Sequence, residues 1–364
     1  MSFSLKDQIY SPEYVNDLAV ALQKADSNIS ITRFKHIALN EHWPNLELKE
    51  RMRHLTTCLY EVLPKAYQKA IELLDKTIVQ LPQHKFANLI FPDFVEQYGI
   101  DDLETSLKAL ELYTQFGSSE FGIRPFIKAY EKETMTRLIE WADSENVHVR
   151  RLASEGCRPR LPWAMALPKY KKDPAPILPI LEKLKADPED YVYRSVANNL
   201  NDISKDHPDL VLEVGERWYG QHPHTDWAVK HALRTLLKKG NTRAMRLFGF
   251  GDPAQVEVSS LTLLPSIKIG EQLLFSFDLN VQAASAGKLR LEYAVDYLKK
   301  LGTYSRKVFK ISENTYESGR HSLQKKQWFK DFSTRKHYPG QHHLTILVNG
   351  VEKATISFNL LPSN

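Results

Sequence analysis

Cysteine is nearly absent from this chain. Cys58 and Cys157 are its two cysteines, 99 positions apart. Such a pair builds no disulfide framework and has no CxxC spacing for zinc. The composition therefore fits a reducing compartment, the cytoplasm, with two ordinary thiols. Long apolar runs are missing too. None approaches the roughly 18 residues that a membrane-spanning helix needs. The opening MSFSLKDQIYSPEY lacks the apolar stretch of a secretory signal. No glycine-rich phosphate loop and no strand–helix alternation appear, which argues against a nucleotide-binding α/β fold. Histidine is present 13 times, yet no HExxH motif accompanies it. The close pairs His222/His224 and His342/His343 read as loop and strand-start residues, so neither a metal nor a cofactor is expected.

What is present describes a globular protein. The 364 residues include 16 Phe, 16 Tyr and 6 Trp, enough to fill real cores and to exclude a disordered chain. The length suits two units. The net charge of +5 is unevenly spread. Residues 1–147 hold 16 Lys/Arg against 22 Asp/Glu, residues 148–246 hold 18 against 12, and residues 247–364 hold 15 against 10. Basic charge gathered in the middle and at the end suits a nucleic-acid surface; a solvated surface with chance asymmetry is the plainer alternative.

Residues 1–250 read as helices. Apolar residues recur at helical spacing in Tyr14, Leu18, Ala21 and Leu22, then in Ile71, Leu74, Ile78 and Leu81. Leu107, Leu110, Leu112 and Tyr113 continue the pattern, as do Met135, Leu138, Ile139 and Trp141. Breaks fall at Pro64, Gly117, Pro168, Pro174, Pro188, Pro208 and Gly240. A weak repeat runs through VRRLAS from Val149, YRSVAN from Tyr193 and VKHALR from Val229. Its basic residues Arg150, Arg194 and Lys230 are 44 and 36 positions apart. That spacing predicts paired helices of HEAT type, stacked into an α-solenoid.

Near residue 252 the period changes to two. Leu273, Phe275, Phe277, Leu279 and Val281 recur at every second position, as do Leu289, Leu291, Tyr293, Val295 and Tyr297. Leu344, Ile346 and Val348 lead into Asn349-Gly350, a type I′ hairpin signal, and Ala354, Ile356, Phe358 and Leu360 form the return strand. About seven strands in roughly 110 residues predict an all-β, immunoglobulin-like sandwich without the inter-sheet disulfide. The expected division is a helical domain over 1–250 and the sandwich over 253–364.

The densest unusual segment is VRRLASEGCRPRLPWAMAL, Val149–Leu167. Arg151 and Glu155 stand at i, i+4, on one face of a helix that Gly156 and Pro159 would end. Arg158, Arg160 and Trp163 then fall on a loop that either meets a ligand or leaves a surface ion pair with Trp163 in the core. Glu120 follows Gly117 and can serve as a helix N-terminal acid. Asn198 and Asp202 share one face of a third segment, where amides and carboxylates are poor mid-helix residues unless they find partners.

VRRLASEGCRPRLPW, RSVANNLNDISKDHPD and HTDWAVKHALRTLLKKGN together resemble the AlkC branch of the bacterial DNA alkylation repair glycosylases. LEYAVDYLKK, SRKVFKI and HYPGQHHLTILVNG resemble the Ig-like domain of longer members. The likeness runs from about residue 100 onward. It implies a HEAT-like fold that grips alkylated double-stranded DNA and excises N3-alkylated bases, 3-methyladenine and 3-methylcytosine, without an obligate protein partner and as a monomer. By the same resemblance Glu120, Glu155 and Asp202 are the site acids and Trp163 the site aromatic. Arg151, Arg158, Arg160, Arg194, Asn198, Lys230 and Arg234 are the candidate DNA contacts. Lys299-Lys300, Arg306-Lys307, Lys325-Lys326 and Arg335-Lys336-His337 are expected in loops and edges of the sandwich, as a DNA clamp or as edge protection.

The chemistry suits these groups. An N3-alkylated base is a cation whose departure neutralises it, so little general-acid help is needed. Negative charge near the developing oxocarbenium-like sugar and a positioned water are what the reaction asks for, and carboxylates supply both. No lysine stands out as a Schiff-base nucleophile, so hydrolysis without strand cleavage is expected. The reading from a different class is a HEAT-repeat protein that binds nucleic acid or protein without catalysis.

Overall fold

The computed structural model describes residues 4–282, 287–331 and 336–363. It divides into two compact units, Met1–His207 with Trp218–Ala232, and Pro208–Arg217 with Leu233–Asn364. In the first unit the apolar positions read from the sequence line the core: Leu18, Leu74, Ile78, Leu110, Tyr113, Leu138 and Trp141 are buried. Leu112 and Ile139 lie half-buried at its margin. Pro168 opens the Pro168–Lys172 helix at the position where its missing N–H costs nothing.

The three repeat segments lie on helices Val147–Gly156, Asp190–Ile203 and Pro223–Ala232, which pack in succession. Their apolar faces meet, and polar side chains pin the register. Ser154 Oγ donates to Ser195 Oγ at 2.7 Å, Asn199 Nδ2 to the Ser154 carbonyl at 2.8 Å, and Asn201 Nδ2 to the Ala232 carbonyl at 2.7 Å. The amides that strain helix propensity thus find buried partners between helices. Arg150 is engaged within the fold. Its guanidinium reaches Asp187 at 2.7 Å and the Ser144 and Glu145 carbonyls, closing the turn before its own helix.

The second unit contains eight strands among the described residues: β1 (Val256–Leu263), β2 (Ser266–Lys268), β3 (Gln272–Val281), β4 (Gly287–Leu298), β5 (Tyr304–Tyr316), β6 (Gly319–Trp328), β7 (Gly340–Val348) and β8 (Val351–Leu361). They form two sheets, ordered β1-β3-β6 and β2-β8-β7-β4-β5. β2 pairs parallel with β8 and the other pairings are antiparallel. Phe275, Phe277, Tyr293, Val295, Leu344, Ile346 and Phe358 meet between the sheets. The clusters Arg306-Lys307 and Lys325-Lys326 lie on β5 and β6, both edge strands, where exposed cations discourage further pairing. Arg335 lies outside the described residues.

The expected boundary at residue 250 differs from this division, because the last helices keep company with the strands. Lys288 Nζ donates to the Phe248 carbonyl at 2.8 Å, and Asn349 Nδ2 to that of Gly251 at 2.8 Å. The β7–β8 turn has φ of +46° at Asn349 and +80° at Gly350, the positive pair that a type I′ turn requires. Gly350 also abuts Gly240, and a Cβ added at 350 would lie 2.4 Å from the Gly240 Cα. Gly350→Ala should therefore lower stability by more than the roughly 1–2 kcal/mol of a left-handed alanine. Thermal denaturation checks this, and an unchanged midpoint contradicts the close approach.

Candidate active site

Glu120 sits in a turn between the Leu103–Tyr113 helix and the Arg124–Ala129 helix. The turn is built from below: Ser119 is buried and donates to the Leu110 carbonyl at 2.8 Å, and Asn88 donates to those of Leu81 and Phe116. Glu120 caps no helix N–H. Its carboxylate accepts from Ser118 Oγ and from Arg151. Arg151 stacks on the Tyr191 ring, 4.8 Å to the centroid, and donates to Ser118 Oγ at 2.8 Å.

Arg151 and Glu155 do share a helix face, with 3.4 Å between Nη2 and Oε1. Glu155 is 5% exposed and fully engaged. Its Oε1 also accepts Arg158 Nη1 at 2.7 Å, and its Oε2 accepts Ser195 Oγ at 2.6 Å. Arg158 turns its other edge to Asp202, with Nε and Nη2 at 2.9 and 2.8 Å from Oδ2. Lys205 completes the row at 3.0 Å from Asp202 Oδ1. Three carboxylates thus alternate with three cations across three segments remote in sequence. Burial opposes the charge on Arg151 and Arg158, but the flanking carboxylates outweigh it and hold both guanidiniums above their ordinary range.

The loop after Gly156 carries Trp163. This side chain is 69% exposed, so it does not fill the core. Its backbone is left-handed at φ +65°, a conformation that costs a large L-residue about 1–2 kcal/mol. The Trp163 carbonyl accepts Lys49 Nζ at 2.5 Å. Trp163, Glu120, Phe121, Glu155, Arg158 and Tyr191 line one cleft of about 510 Å³. Asp202 does not line it; it meets the cleft through Arg158.

The candidate DNA contacts fall into different places. Arg151 and Arg158 belong to the carboxylate network. Arg160 is half-buried and bound to Asp206 through two nitrogens. Arg194 is exposed, pairs with Asp190 at 2.8 Å and stacks on Trp227. Asn198 and Lys230 are half-buried on the two neighbouring helices, with Asn198 Oδ1 3.3 Å from His231 Nε2. Arg234 opens the Arg234–Lys238 helix in the second unit.

Sequence reasoning missed Tyr191, Ser195, Phe121 and Lys49. Tyr191, Ser195 and Asp202 stand at i, i+4 and i+11, one helical face, so the first two were readable from the periodicity that exposed Asp202. Phe121 and Lys49 reach the cleft through tertiary packing. Both cysteines are buried, and burial pushes their thiols up to about 12, which leaves them protonated and unreactive. Among the described residues, no three His, Cys, Asp or Glu converge as ligands of a metal ion would.

Behind the Phe86–Phe121–Trp163 wall lies a second cavity, lined also by Lys49, Arg53, Asp93 and Glu96. Arg53 pairs with Asp93 at 2.8 Å. Burial, then the charge of Asp93, push the Glu96 carboxyl up to about 7 from an ordinary 4.5. The fold therefore favours protonated Glu96. That contribution is complete below about pH 4.5 and lost as pH rises through about 7. Glu96→Gln should match wild type in urea midpoint near pH 4 and exceed it at pH 8; a constant difference across that range contradicts the assignment.

Residues 101–236 match the family model described as DNA alkylation repair enzyme, and residues 257–362 match that of the YhaZ C-terminal Ig-like domain. The chain is 46% identical to the uncharacterized protein YhaZ of Bacillus subtilis (strain 168), across 97% of this chain and 98% of that one. It is also similar to the Pseudomonas fluorescens alkylpurine DNA glycosylase AlkC, solved bound to DNA containing an abasic site analog. There the TM-score is 0.93 at 38% identity, over 99% of this chain and 100% of the other. Together with the fold and the acid-lined cleft, this places the chain in the DNA alkylation repair enzyme family, as an AlkC-type member with a C-terminal Ig-like domain.

Proposed function

We propose that this protein hydrolyses the N-glycosidic bond of cationic N3-alkylated bases, 3-methyladenine and 3-methylcytosine, in duplex DNA and leaves an abasic site. The observation that carries the reading is the meeting of Glu120, Glu155 and exposed Trp163 in one cleft, from two segments remote in sequence. Glu155 and Glu120 face the sugar, stabilise its developing positive charge and hold the attacking water. Trp163 packs on the lesion or sugar face, where a cationic ring is well received. Asp202 keeps Arg158 in place and acts through it. Arg151 is the movable cation: an incoming phosphate competes for it and frees the carboxylates toward the sugar.

The complete pairing of the acids favours the other reading, a DNA-binding protein without catalysis. Single-turnover release of bases from methylated duplex DNA, in EDTA, decides between them. Wild type should release 3-methyladenine or 3-methylcytosine without strand breaks before alkali. Glu155→Gln should slow release by about 100-fold or more at retained DNA affinity. Release of neither base, with duplex binding intact, leaves the non-catalytic reading standing.

The second unit supplies a basic groove lined by Lys238, Lys239, Arg306 and Lys307. We assign it to phosphate contact. Arg306 is partly engaged by Glu352 at 2.7 Å. Replacing all four by alanine should flatten the dependence of log affinity on log salt by about 2–3. An unchanged slope assigns these cations to solubility and edge protection instead.

A further inference from the structure

Arg124 is fully buried, yet it faces no carboxylate at hydrogen-bond distance. It is the first residue of the Arg124–Ala129 helix and follows the Glu120 turn by four positions. Its Nη1 donates to the Gly156 carbonyl at 2.7 Å, and its Nε to the Met165 carbonyl at 2.7 Å. Its Nη2 is buried without a hydrogen-bond partner. Burial pushes the guanidinium down to about 10, the mark of a cation held where solvation is poor. A neutral side chain would suit such a place better if packing were all that mattered.

The two carbonyls define what the cation does. Gly156 is the last residue of the helix that carries Arg151 and Glu155. A cation there satisfies an orphan carbonyl and meets the negative end of the helix dipole. Met165 lies two residues past Trp163. The bracketed stretch holds Arg158, Arg160 and Trp163, and just past it the Leu167 N–H closes back on the Pro159 carbonyl at 3.2 Å. Trp163, left-handed at φ +65°, lies between the two anchors.

We propose that Arg124 is a positioning residue: it ties the end of the Glu155 helix to the far side of the Trp163 loop, and so sets the distance between acid and aromatic. Lys49 holds the tip of the same loop through the Trp163 carbonyl. The catalytic part of this inference rests on the glycosylase reading; the positional part does not.

The test uses the full chain labelled with 5-fluorotryptophan, in which Trp163 is one of six tryptophans and is assigned by Trp163→Phe. Arg124→Met should shift or broaden the Trp163 fluorine resonance and leave the others in place. Affinity for abasic-site duplex should stay within about twofold while single-turnover release falls about 10- to 100-fold, as expected of a small misplacement. Arg124→Lys keeps the charge, reaches a single carbonyl and should lie between the two; it carries the test if Arg124→Met does not fold. A Trp163 resonance unmoved in the folded variants overturns the inference. So does a uniform shift of all six resonances with equal losses in binding and release, which marks a merely structural role. If wild type releases no base, the glycosylase reading fails, and the fluorine spectra still decide whether Arg124 holds the loop.

Discussion

The guanidinium of Arg158, held between Glu155 and Asp202, is the contact on which the rest of the site depends. It joins the end of the Val147–Gly156 helix to the last turn of the Asp190–Ile203 helix. The two acids are 47 positions apart in the chain, so the bridge exists only if the repeat helices stack in register. Ser154, Ser195 and Asn199 fix that register with bonds of 2.6–2.8 Å. Loss of one member of such a buried pair strands its partner, at about 3–5 kcal/mol. Fold and site are therefore coupled: whatever loosens the stack also separates the acids.

The same bridge explains how an acidic cleft can exist in a basic stretch of chain. Residues 148–246 carry an excess of six cations, yet Glu155 and Asp202 lie inside it. Arg151, Arg158 and Lys205 balance Glu120, Glu155 and Asp202 charge for charge. The network is thus balanced in itself, and the excess of cations lies elsewhere in the same stretch. A cleft of bare carboxylates would repel any polyanion.

Much of this was legible in the sequence because it rests on local periodicity. The change from helical spacing to alternation near residue 252 marks the sandwich, and Asn349-Gly350 marks its hairpin. The i, i+4 relation of Arg151 and Glu155 survives in three dimensions as a 3.4 Å contact. What stayed hidden depends on distance in sequence. Nothing near Glu120 announces Arg151, 31 positions on, as its partner. Arg158 reads as one more exposed arginine until the second carboxylate arrives from another helix. The affinity of the last helices for the strands comes from contacts such as Lys288 with Phe248, which no composition shift reveals.

Three features of the first unit run against stability for its own sake. Trp163 is exposed and left-handed, Arg124 is a buried cation without a carboxylate, and Glu96 is an acid that the fold prefers protonated. Well-packed apolar side chains in place of such charges are often neutral or stabilising, so folding alone does not call for this arrangement. All three border the Trp163 loop or the walls that it shares with the acid cleft. Unfavourable terms spread at random would mark a poor fold. Gathered around one loop and one cleft, they mark the place where the chain gives up stability for a fixed geometry of aromatic ring and carboxylate.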